Sequence, residues 1–208
     1  MSVQVNPDSS RFKMAALTLI IIRHAEKPKE EWPGPGLTIE GSPDDKSLVL
    51  RGWQRAGAWS ALFGAGLGGT EFPRPDVIYA ADPSRNIVTA DADDGPSQRP
   101  FETVTPLSSA LGLKPVTKWA VGEEDDLVNE IMQLSGVALV CWEHKRIISH
   151  RLPGIAGSKN LLGLPSMWNR LRFDLVLRFD RDASANAWSF RQLFPRLLSG
   201  DSATPLGR

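Results

Sequence analysis

Two of the three histidines in the sequence follow directly on runs of apolar residues. His24 comes after Arg23 at the end of one such run, and His144 follows a second run. A neutral imidazole, with a reference pKa of about 6.5, can act as a nucleophile or exchange a proton near neutral pH. Arginine carries a permanent charge on a planar fork that binds two oxygen atoms of a phosphate or a carboxylate. We interpret His150 as a satisfied polar group at a surface or core edge, so Arg23, His24 and His144 are the first candidates for a site.

The apolar runs before these histidines predict buried strands. They lack regular polar alternation, which is typical of strands covered on both faces in a mostly parallel sheet. Helical spacing predicts helices between the strands, and alternation near the end predicts an antiparallel pair at a sheet edge. The predicted strands are residues 17–22, 75–81 and 136–142, the helices 53–63, 100–113 and 123–134, and the edge pair 173–179 and 188–194. We therefore predict a three-layer α/β/α sandwich with a mostly parallel central sheet, in which ligands bind outside the carboxyl ends of the strands.

Composition favours a single globular domain. The 208 residues are 41% hydrophobic and 23% charged, which is ordinary for a globular protein and sufficient for a core. We predict a loose N-terminal leader over residues 1–13, the domain over residues 14–198, and a polar C-terminal tail over residues 199–208. Residues 27–46 and 82–98, which contain Pro, Gly and charged residues, are predicted as loops that wall the ligand site and set its specificity.

Charge and cysteine content exclude several classes of protein. The 24 basic residues equal the 24 acidic ones, so no overall field attracts nucleic acid or an anionic membrane. The longest apolar stretch, residues 14–22, is too short to span a bilayer and does not lead into a signal cleavage site. The single cysteine, Cys141, indicates neither an oxidising compartment nor structural zinc. The acidic stretches 91–94 and 123–126 lack the spacing of a calcium loop. We predict a cytoplasmic protein with no metal and no cofactor.

Five segments, in order along the chain, resemble the motifs of a known family. They are Leu19–Glu26 (LIIIRHAE), Leu48–Gly57 (LVLRGWQRAG), Ile78–Ala81 (IYAA), Arg99–Leu107 (RPFETVTPL) and Val137–His144 (VALVCWEH). Together they make the chain resemble the histidine phosphatase superfamily, the phosphoglycerate-mutase-like proteins. The resemblance implies the phosphoglycerate-mutase-like fold and phosphatase chemistry.

The resemblance also implies a pocket made by Arg23, His24, Arg99 and His144. The two arginines would clamp the phosphoryl oxygens, whose charge must be spread over fixed donors during transfer. His24 would attack phosphorus and form a phosphohistidine that water cleaves. A protonated His144 would stabilise the transition state. Glu26, which ends the first motif, is a further candidate for binding the phosphate.

Two assignments in this site stay open. Arg85 lies nearer to the second strand than Arg99 and is an alternative clamp, although Arg99 has the motif spacing. The acid that protonates the leaving group is assigned to Glu123, at a loosely matching position, with Asp82 and Glu143 as alternatives. The acid can also be absent, as in family members that act on good leaving groups such as phosphohistidine.

The predicted function is a metal-independent phosphatase that hydrolyses a phosphomonoester through a phosphohistidine on His24 and releases inorganic phosphate. The signature that marks mutases is missing after Glu26, which favours a phosphatase. The expected substrate is a small phosphomonoester, and a phosphoprotein is the second candidate. The alternative function is a non-catalytic phosphate-binding or scaffold protein that kept the pocket but lost turnover. The sequence does not indicate an oligomeric state.

Overall fold

The structure is a computed structural model that describes residues 15–88, 95–151, 161, 163–183 and 187–207. In chain order its elements are β1 (Leu17–Arg23), α1 (Leu50–Trp59), β2 (Val77–Ala80), α2 (Arg99–Leu111), α3 (Glu124–Ile131), β3 (Gly136–Trp142), α4 (His144–Arg146), β4 (Val176–Arg181) and β5 (Trp188–Leu193). Two π-helical turns, Ser60–Gly64 and Ile147–Arg151, extend α1 and α4. The predicted leader, residues 1–13, and the side chain of His150 lie outside the described residues.

Strand β1 lies at the centre of the sheet that the described residues form. The strand order is β2-β3-β1-β4-β5. The pairs β2·β3 and β3·β1 are parallel, whereas β1·β4 and β4·β5 are antiparallel, so only β4 runs against the other strands. The predicted mostly parallel sheet is confirmed, and the predicted antiparallel pair forms its β5 edge.

The register of the parallel strands brings their carboxyl ends to one edge of the sheet. Arg23 at the end of β1 aligns with Trp142 at the end of β3, and Ala80 at the end of β2 aligns with Cys141. The His24 N–H donates to the Trp142 carbonyl oxygen at 3.1 Å. The residues that follow these three strands therefore lie close together.

Both faces of the sheet are covered by helices, which explains the continuous apolar runs. On one face Leu19 packs in a core that includes Leu127 of α3. On the other face Ile20 packs in a second core with Trp59 of α1 and Leu107 of α2. Each fully buried side chain of this kind contributes about 1.5–3 kcal/mol relative to an exposed one. The predicted α/β/α sandwich is confirmed.

Helix α2 begins one residue before the start of the predicted range 100–113 and ends two residues before its end. Pro100 lies in its first turn, where a missing N–H costs nothing. Gly112 ends the helix with a φ of 67°, a left-handed conformation that favours glycine. Among the described residues, the helices are all too short or too polar to cross a membrane.

The residues predicted as a polar C-terminal tail instead pack against the domain. Leu206 is buried in the core that contains Leu19. The Asp201 carboxylate lies 2.8 Å from the guanidinium of Arg55 in α1, and the Ser202 N–H donates to Asp174 at 2.6 Å. The polar side chains find partners far away in sequence, which composition does not reveal.

Candidate active site

The carboxyl ends of β1, β2 and β3 open into a cavity of about 290 Å³. Its lining includes many basic side chains, among them Arg23, His24, Arg85, Arg99, His144 and Arg146. The chain as a whole carries no net charge, whereas the lysines and arginines of this lining outnumber its two carboxylates, Asp82 and Glu143. Such a cavity favours an anionic ligand. The four residues predicted to share a pocket all line it.

The surroundings of His24 favour a neutral imidazole with its proton on Nδ1. Its Nδ1 lies 2.8 Å from the Ala25 carbonyl oxygen, and a carbonyl oxygen only accepts, so Nδ1 carries the hydrogen. The Nε2 atom is left with its lone pair. Burial, followed by the positive charges of Arg23 and Arg99, lowers the pKa of His24 well below its ordinary value. The residue therefore has the protonation state of a nucleophile at neutral pH.

The loop that carries His24 is tied to helix α2 through Thr103. The Ala25 N–H donates to Thr103 Oγ1 at 2.8 Å, and this hydroxyl donates to the Arg99 carbonyl oxygen at 2.7 Å. Both Ala25 and Thr103 are fully buried. The sequence analysis gave Thr103 no role, although its position four residues after Arg99 in the fourth motif was a signal. The contact fixes the first turn of α2 beside the histidine.

Arg23 is buried with an unsatisfied donor. It is 1% exposed, and its Nη1 donates to the carbonyl oxygens of Arg170 and Arg172 at 2.9 and 3.1 Å. The guanidinium lies 3.8 Å from the ring centroid of Phe173. Its Nε is buried and has no hydrogen-bond partner among the described residues. Burial lowers the pKa of Arg23 to about 9, which leaves the group charged at neutral pH.

Phe173 is a site residue that sequence reasoning missed. Its ring packs beneath Arg23 and makes an edge contact with His24, with ring centroids 5.8 Å apart. A cation held against an aromatic face is stabilised by about 0.5–2 kcal/mol. The alternating pattern only predicted an edge strand beginning at this residue, and a contact so distant in sequence leaves no local signal.

Arg99 reaches the cavity from the first turn of α2. Its Nε donates to the Ser47 carbonyl oxygen at 3.3 Å, and its Nη2 donates to the Asp45 carbonyl oxygen. The loop before α1 therefore sets where this guanidinium lies. Its charge is one of those that lower the pKa of His24.

His144 follows β3 and is paired with its neighbour Glu143. Its Nδ1 lies 2.7 Å from Glu143 Oε1, but without the alignment of a hydrogen bond. Burial lowers the pKa of His144, and Arg23 lowers it further, while Glu143 opposes both. Burial alone would raise the pKa of Glu143. Contacts with His144 and with the backbone N–H groups of Lys145 and Arg146 outweigh burial and lower this pKa to about 2. Glu143 is thus an anion held beside the imidazole.

Arg85 and the two remaining acid candidates form one ion-pair cluster. Arg85 Nε donates to Asp82 at 2.8 Å, and its two terminal nitrogens donate to Glu123 at 3.0 Å each. The hydrogen bond from Arg85 lowers the pKa of Glu123. Burial opposes the change at Asp82, but Ser84 and Arg85 lower the pKa of that carboxyl too. Arg85 and Asp82 line the cavity, whereas Glu123 lies behind Arg85 and is not among the lining residues.

Glu26 occupies a structural position instead of the predicted phosphate contact. Its carboxylate is 1% exposed and accepts hydrogen bonds from Arg55 at 2.8 and 3.0 Å. Arg51 lies 3.3 Å away. A carboxylate held in this way anchors α1 beneath the loop after β1, and its negative charge would repel a phosphate. Its nearness to His24 in sequence suggested a shared pocket, but the two side chains have different surroundings.

No group of three or more His, Cys, Asp or Glu side chains within the described residues has the arrangement of a metal site.

Comparison with known proteins gives structural likenesses only. No family model matches the sequence, and no curated protein matches it. Mycobacterial glucosyl-3-phosphoglycerate phosphatase is similar at 14% identity and a TM-score of 0.45, over 86% of this chain and 98% of that chain. A phosphoserine phosphatase variant from Entamoeba histolytica, in complex with phosphoserine, is similar at 14% identity and a TM-score of 0.48, over 88% of this chain and 100% of that chain. At this identity and TM-score, neither likeness decides the family or the activity of this chain.

Proposed function

We propose that this protein is a phosphatase of the histidine phosphatase superfamily, which hydrolyses a phosphomonoester without a metal ion through a phosphohistidine on His24. One observation supports this most: a neutral histidine shares a cavity with a buried arginine whose Nε has no acceptor among the described residues. His24 supplies a lone pair on Nε2, and Arg23 supplies a charged donor. A phosphomonoester offers the matching parts, an electrophilic phosphorus and anionic oxygens.

In the proposed reaction Arg23 and Arg99 hold the phosphoryl oxygens. The lone pair of His24 Nε2 attacks phosphorus, and an N–P bond forms while the P–O bond to the leaving group breaks. Water then attacks the phosphohistidine, which releases inorganic phosphate and restores the neutral imidazole. The hydrogen bond from Nδ1 to the Ala25 carbonyl oxygen stabilises the positive charge that develops on the ring.

His144 acts as the second imidazole of the reaction. An anion bound in the cavity raises its pKa, because an opposite charge favours the charged form. The same anion counteracts the lowering effect of Arg23. His144 therefore gains a proton as substrate binds and donates to a phosphoryl oxygen in the transition state.

The leaving group is expected to depart with little help from a carboxylic acid. The pKa values of Asp82, Glu123 and Glu143 are all lowered, so each favours the anion. Asp82 is the best placed of these if a proton is delivered, because it lines the cavity and Glu123 does not. We expect turnover to increase steeply as the leaving group becomes more acidic.

A small phosphomonoester fits the cavity better than a phosphoprotein does. His24 is 6% exposed, and the cavity around it is limited to about 290 Å³. A small ligand can enter whole, whereas a phosphorylated side chain must extend from a bulky surface. The phosphoprotein remains the second candidate substrate.

The test is hydrolysis of p-nitrophenyl phosphate, with EDTA and without added metal, by the wild type and by His24→Ala. This substrate has a good leaving group, so it needs no acid. We expect chelator-resistant activity that the variant lacks while it still binds vanadate. Full turnover by His24→Ala would overturn the nucleophile assignment.

A phosphate-binding protein without turnover is the second candidate function. The observation that favours it is the set of three carboxyl groups held in their ionised form. This function predicts that wild type binds vanadate but fails to hydrolyse p-nitrophenyl phosphate.

A further inference from the structure

The side chains of Asp44, Ser47 and Glu102 form a cluster beside Arg99. The Ser47 hydroxyl group makes a short contact with each of the two carboxyl groups but has only one proton to donate. Ser47 Oγ lies 2.5 Å from Asp44 Oδ2 and 2.6 Å from Glu102 Oε1. A hydroxyl group carries one proton and donates once. The second contact, between two oxygen atoms at hydrogen-bond distance, needs a proton of its own. A proton on one of the two carboxyl groups would satisfy both contacts.

Glu102 is the carboxyl group that fits this proton. It is 6% exposed, whereas Asp44 is only half-buried. The Leu48 N–H donates to Glu102 Oε2 at 2.8 Å, which marks Oε2 as the carbonyl oxygen and leaves the proton to Oε1. Burial is the largest influence and raises the pKa of Glu102, and the charge of Asp44 adds to the rise, although the hydrogen bonds with Ser47 and Leu48 and the charge of Arg99 oppose it. The hydrogen bond from Ser47 lowers the pKa of Asp44.

We propose that protonated Glu102 is the positioning residue of the Arg99 clamp, through a chain in which Glu102 Oε1–H donates to Ser47 and Ser47 Oγ–H donates to Asp44. The inference rests on the proposed function, in which Arg99 binds the phosphoryl group. The backbone supplies the link. Arg99 donates to the carbonyl oxygens of Asp45 and Ser47, in the same loop that the shared proton holds together.

Loss of this proton weakens phosphate binding for two reasons. It leaves two carboxylates on one hydroxyl group, and their repulsion displaces the loop that carries the acceptors for Arg99. An ionised Glu102 also attracts the Arg99 guanidinium and competes with the phosphoryl oxygens. The charged groups that act on the cluster are Asp44, Lys46 and Arg99. Phosphate affinity therefore falls as the pH rises through the pKa of Glu102.

The effect falls on binding more than on chemistry. His24 lies on the loop after β1, which Thr103 and Ala25 hold independently of Ser47. We therefore expect deprotonation of Glu102 to raise KM more than it lowers kcat.

Calorimetry of vanadate binding across pH tests this role in the full-length wild type, Glu102→Gln and Glu102→Ala. The glutamine amide accepts from Leu48 and donates to Ser47 without a titratable proton. We expect Glu102→Gln to match the wild type at pH 6 and to keep its affinity at alkaline pH, where the wild type weakens. Glu102→Ala leaves the Leu48 and Ser47 donors unpaired. It should bind vanadate about tenfold more weakly than Glu102→Gln at every pH.

Glu130→Gln is the matched control. Glu130 accepts hydrogen bonds from Tyr79, Lys118 and Trp119 on the other face of the sheet, and its pKa is lowered. This variant should change neither the affinity nor its pH dependence. Infrared absorption adds a readout that needs no folded variant at Glu102: wild type should show a protonated carboxyl band at neutral pH, which disappears on raising the pH together with vanadate affinity.

The outcomes separate this inference from the proposed function. If Arg99→Gln binds vanadate as tightly as the wild type, the clamp itself is wrong. If Arg99→Gln weakens binding, but wild type and Glu102→Gln share one pH profile and the infrared band is absent, the clamp stands and the role of Glu102 is overturned.

Discussion

Arg23 and Arg55 are both almost fully buried, yet their surroundings are opposite. Arg55, 2% exposed, meets two carboxylates, with hydrogen bonds of 2.8–3.1 Å to Glu26 and Asp201. Arg23, 1% exposed, meets backbone carbonyl oxygens and the Phe173 ring, and its Nε has no partner among the described residues. Burial lowers the pKa of Arg23 to about 9. Burial acts on Arg55 as well, but Asp201 and Glu26 outweigh it and raise its pKa.

This difference distinguishes Arg55, which stabilises the fold, from Arg23, which is suited to bind an anion. A buried charge is tolerated when it is paired, and removing one partner of such a pair is costly. Arg55 is paired within the fold, so it stabilises the join between α1 and the C-terminal residues. Among the described residues no carboxylate lies at ion-pair distance from Arg23, although the charges of Glu143 and Glu26 act on it from farther away. A bound phosphoryl group would provide a direct partner. Residue type and burial are the same at both positions, so the missing partner is the informative difference.

The largest expected effect is on stability, from Arg55→Ala. This change removes the buried cation from the carboxylates of Glu26 and Asp201 and leaves them the more exposed Arg51, at 3.3 and 3.9 Å. We expect a loss of about 3–5 kcal/mol in the free energy of unfolding. Urea denaturation measures it. A loss below about 1 kcal/mol would show that the ion pairs of Arg55 do not stabilise the fold.

Arg23→Gln should lower activity more than stability. Arg23→Gln loses two hydrogen bonds and the contact with Phe173 but no ion pair described in the structure, so it should lower the free energy of unfolding less than Arg55→Ala does. We expect kcat/KM to fall about 10²–10³-fold because a donor to the transition state is lost. Steady-state kinetics on p-nitrophenyl phosphate, together with urea denaturation of the same protein, give both values. Equal activity in this variant and in wild type would remove Arg23 from the proposed clamp.

The pH dependence of kcat/KM should also distinguish Arg23 from Arg55. His24 must be neutral to attack, and its pKa is lowered, so the loss of activity that comes from protonating His24 should begin only below pH 6.5. Arg23→Gln removes the second-largest cause of the lowering and should move this decline to higher pH. A neutral substitution at Arg55 should leave the decline in place. A wild-type decline centred above pH 6.5 would contradict a depressed pKa at His24.

The smallest effect is expected from Arg85→Gln. Arg85 is 45% exposed, and an exposed ion pair contributes about 0–1 kcal/mol. Stability should change by less than about 1 kcal/mol, and vanadate affinity should stay within about threefold of wild type. If affinity instead fell as far as in Arg99→Gln, Arg85 would be the second clamp.

The sequence predicted those features that depend on neighbouring residues. The apolar runs of β1 and β3 indicated a buried parallel sheet, and the residues after parallel strands meet at one edge for topological reasons. Arg23, His24 and His144 could therefore be placed in one cavity before any contact was known. The α/β/α layers followed from the helical spacing between the strands. The catalytic roles of these residues stay predictions until kinetics test them.

Features that depend on distant partners could not be predicted. Glu26 looked like a site residue because it is near His24, but Arg55 and Asp201 determine where its carboxylate lies. The short helix α4 and the π-helical turn after it were not predicted, because the segment from His144 to Arg151 lacks a clear apolar period. The proton on Glu102 is a property of three oxygen atoms brought together by folding, and its sequence context carries no sign of it.

The central position of β1 has a consequence for how the protein folds. This strand is the first in the described chain, yet both of its neighbours, β3 and β4, come late in the sequence. The hydrogen bond from Thr18 to Asp180 spans 162 residues. Such non-local pairing slows folding, because long loops must close before contacts form. During synthesis both edges of β1 and its aliphatic side chains stay exposed until β3 and β4 have been made. Unpaired strand edges and exposed apolar surface promote aggregation. We expect the yield of the protein to be limited by self-association of incomplete chains rather than by the stability of the finished domain.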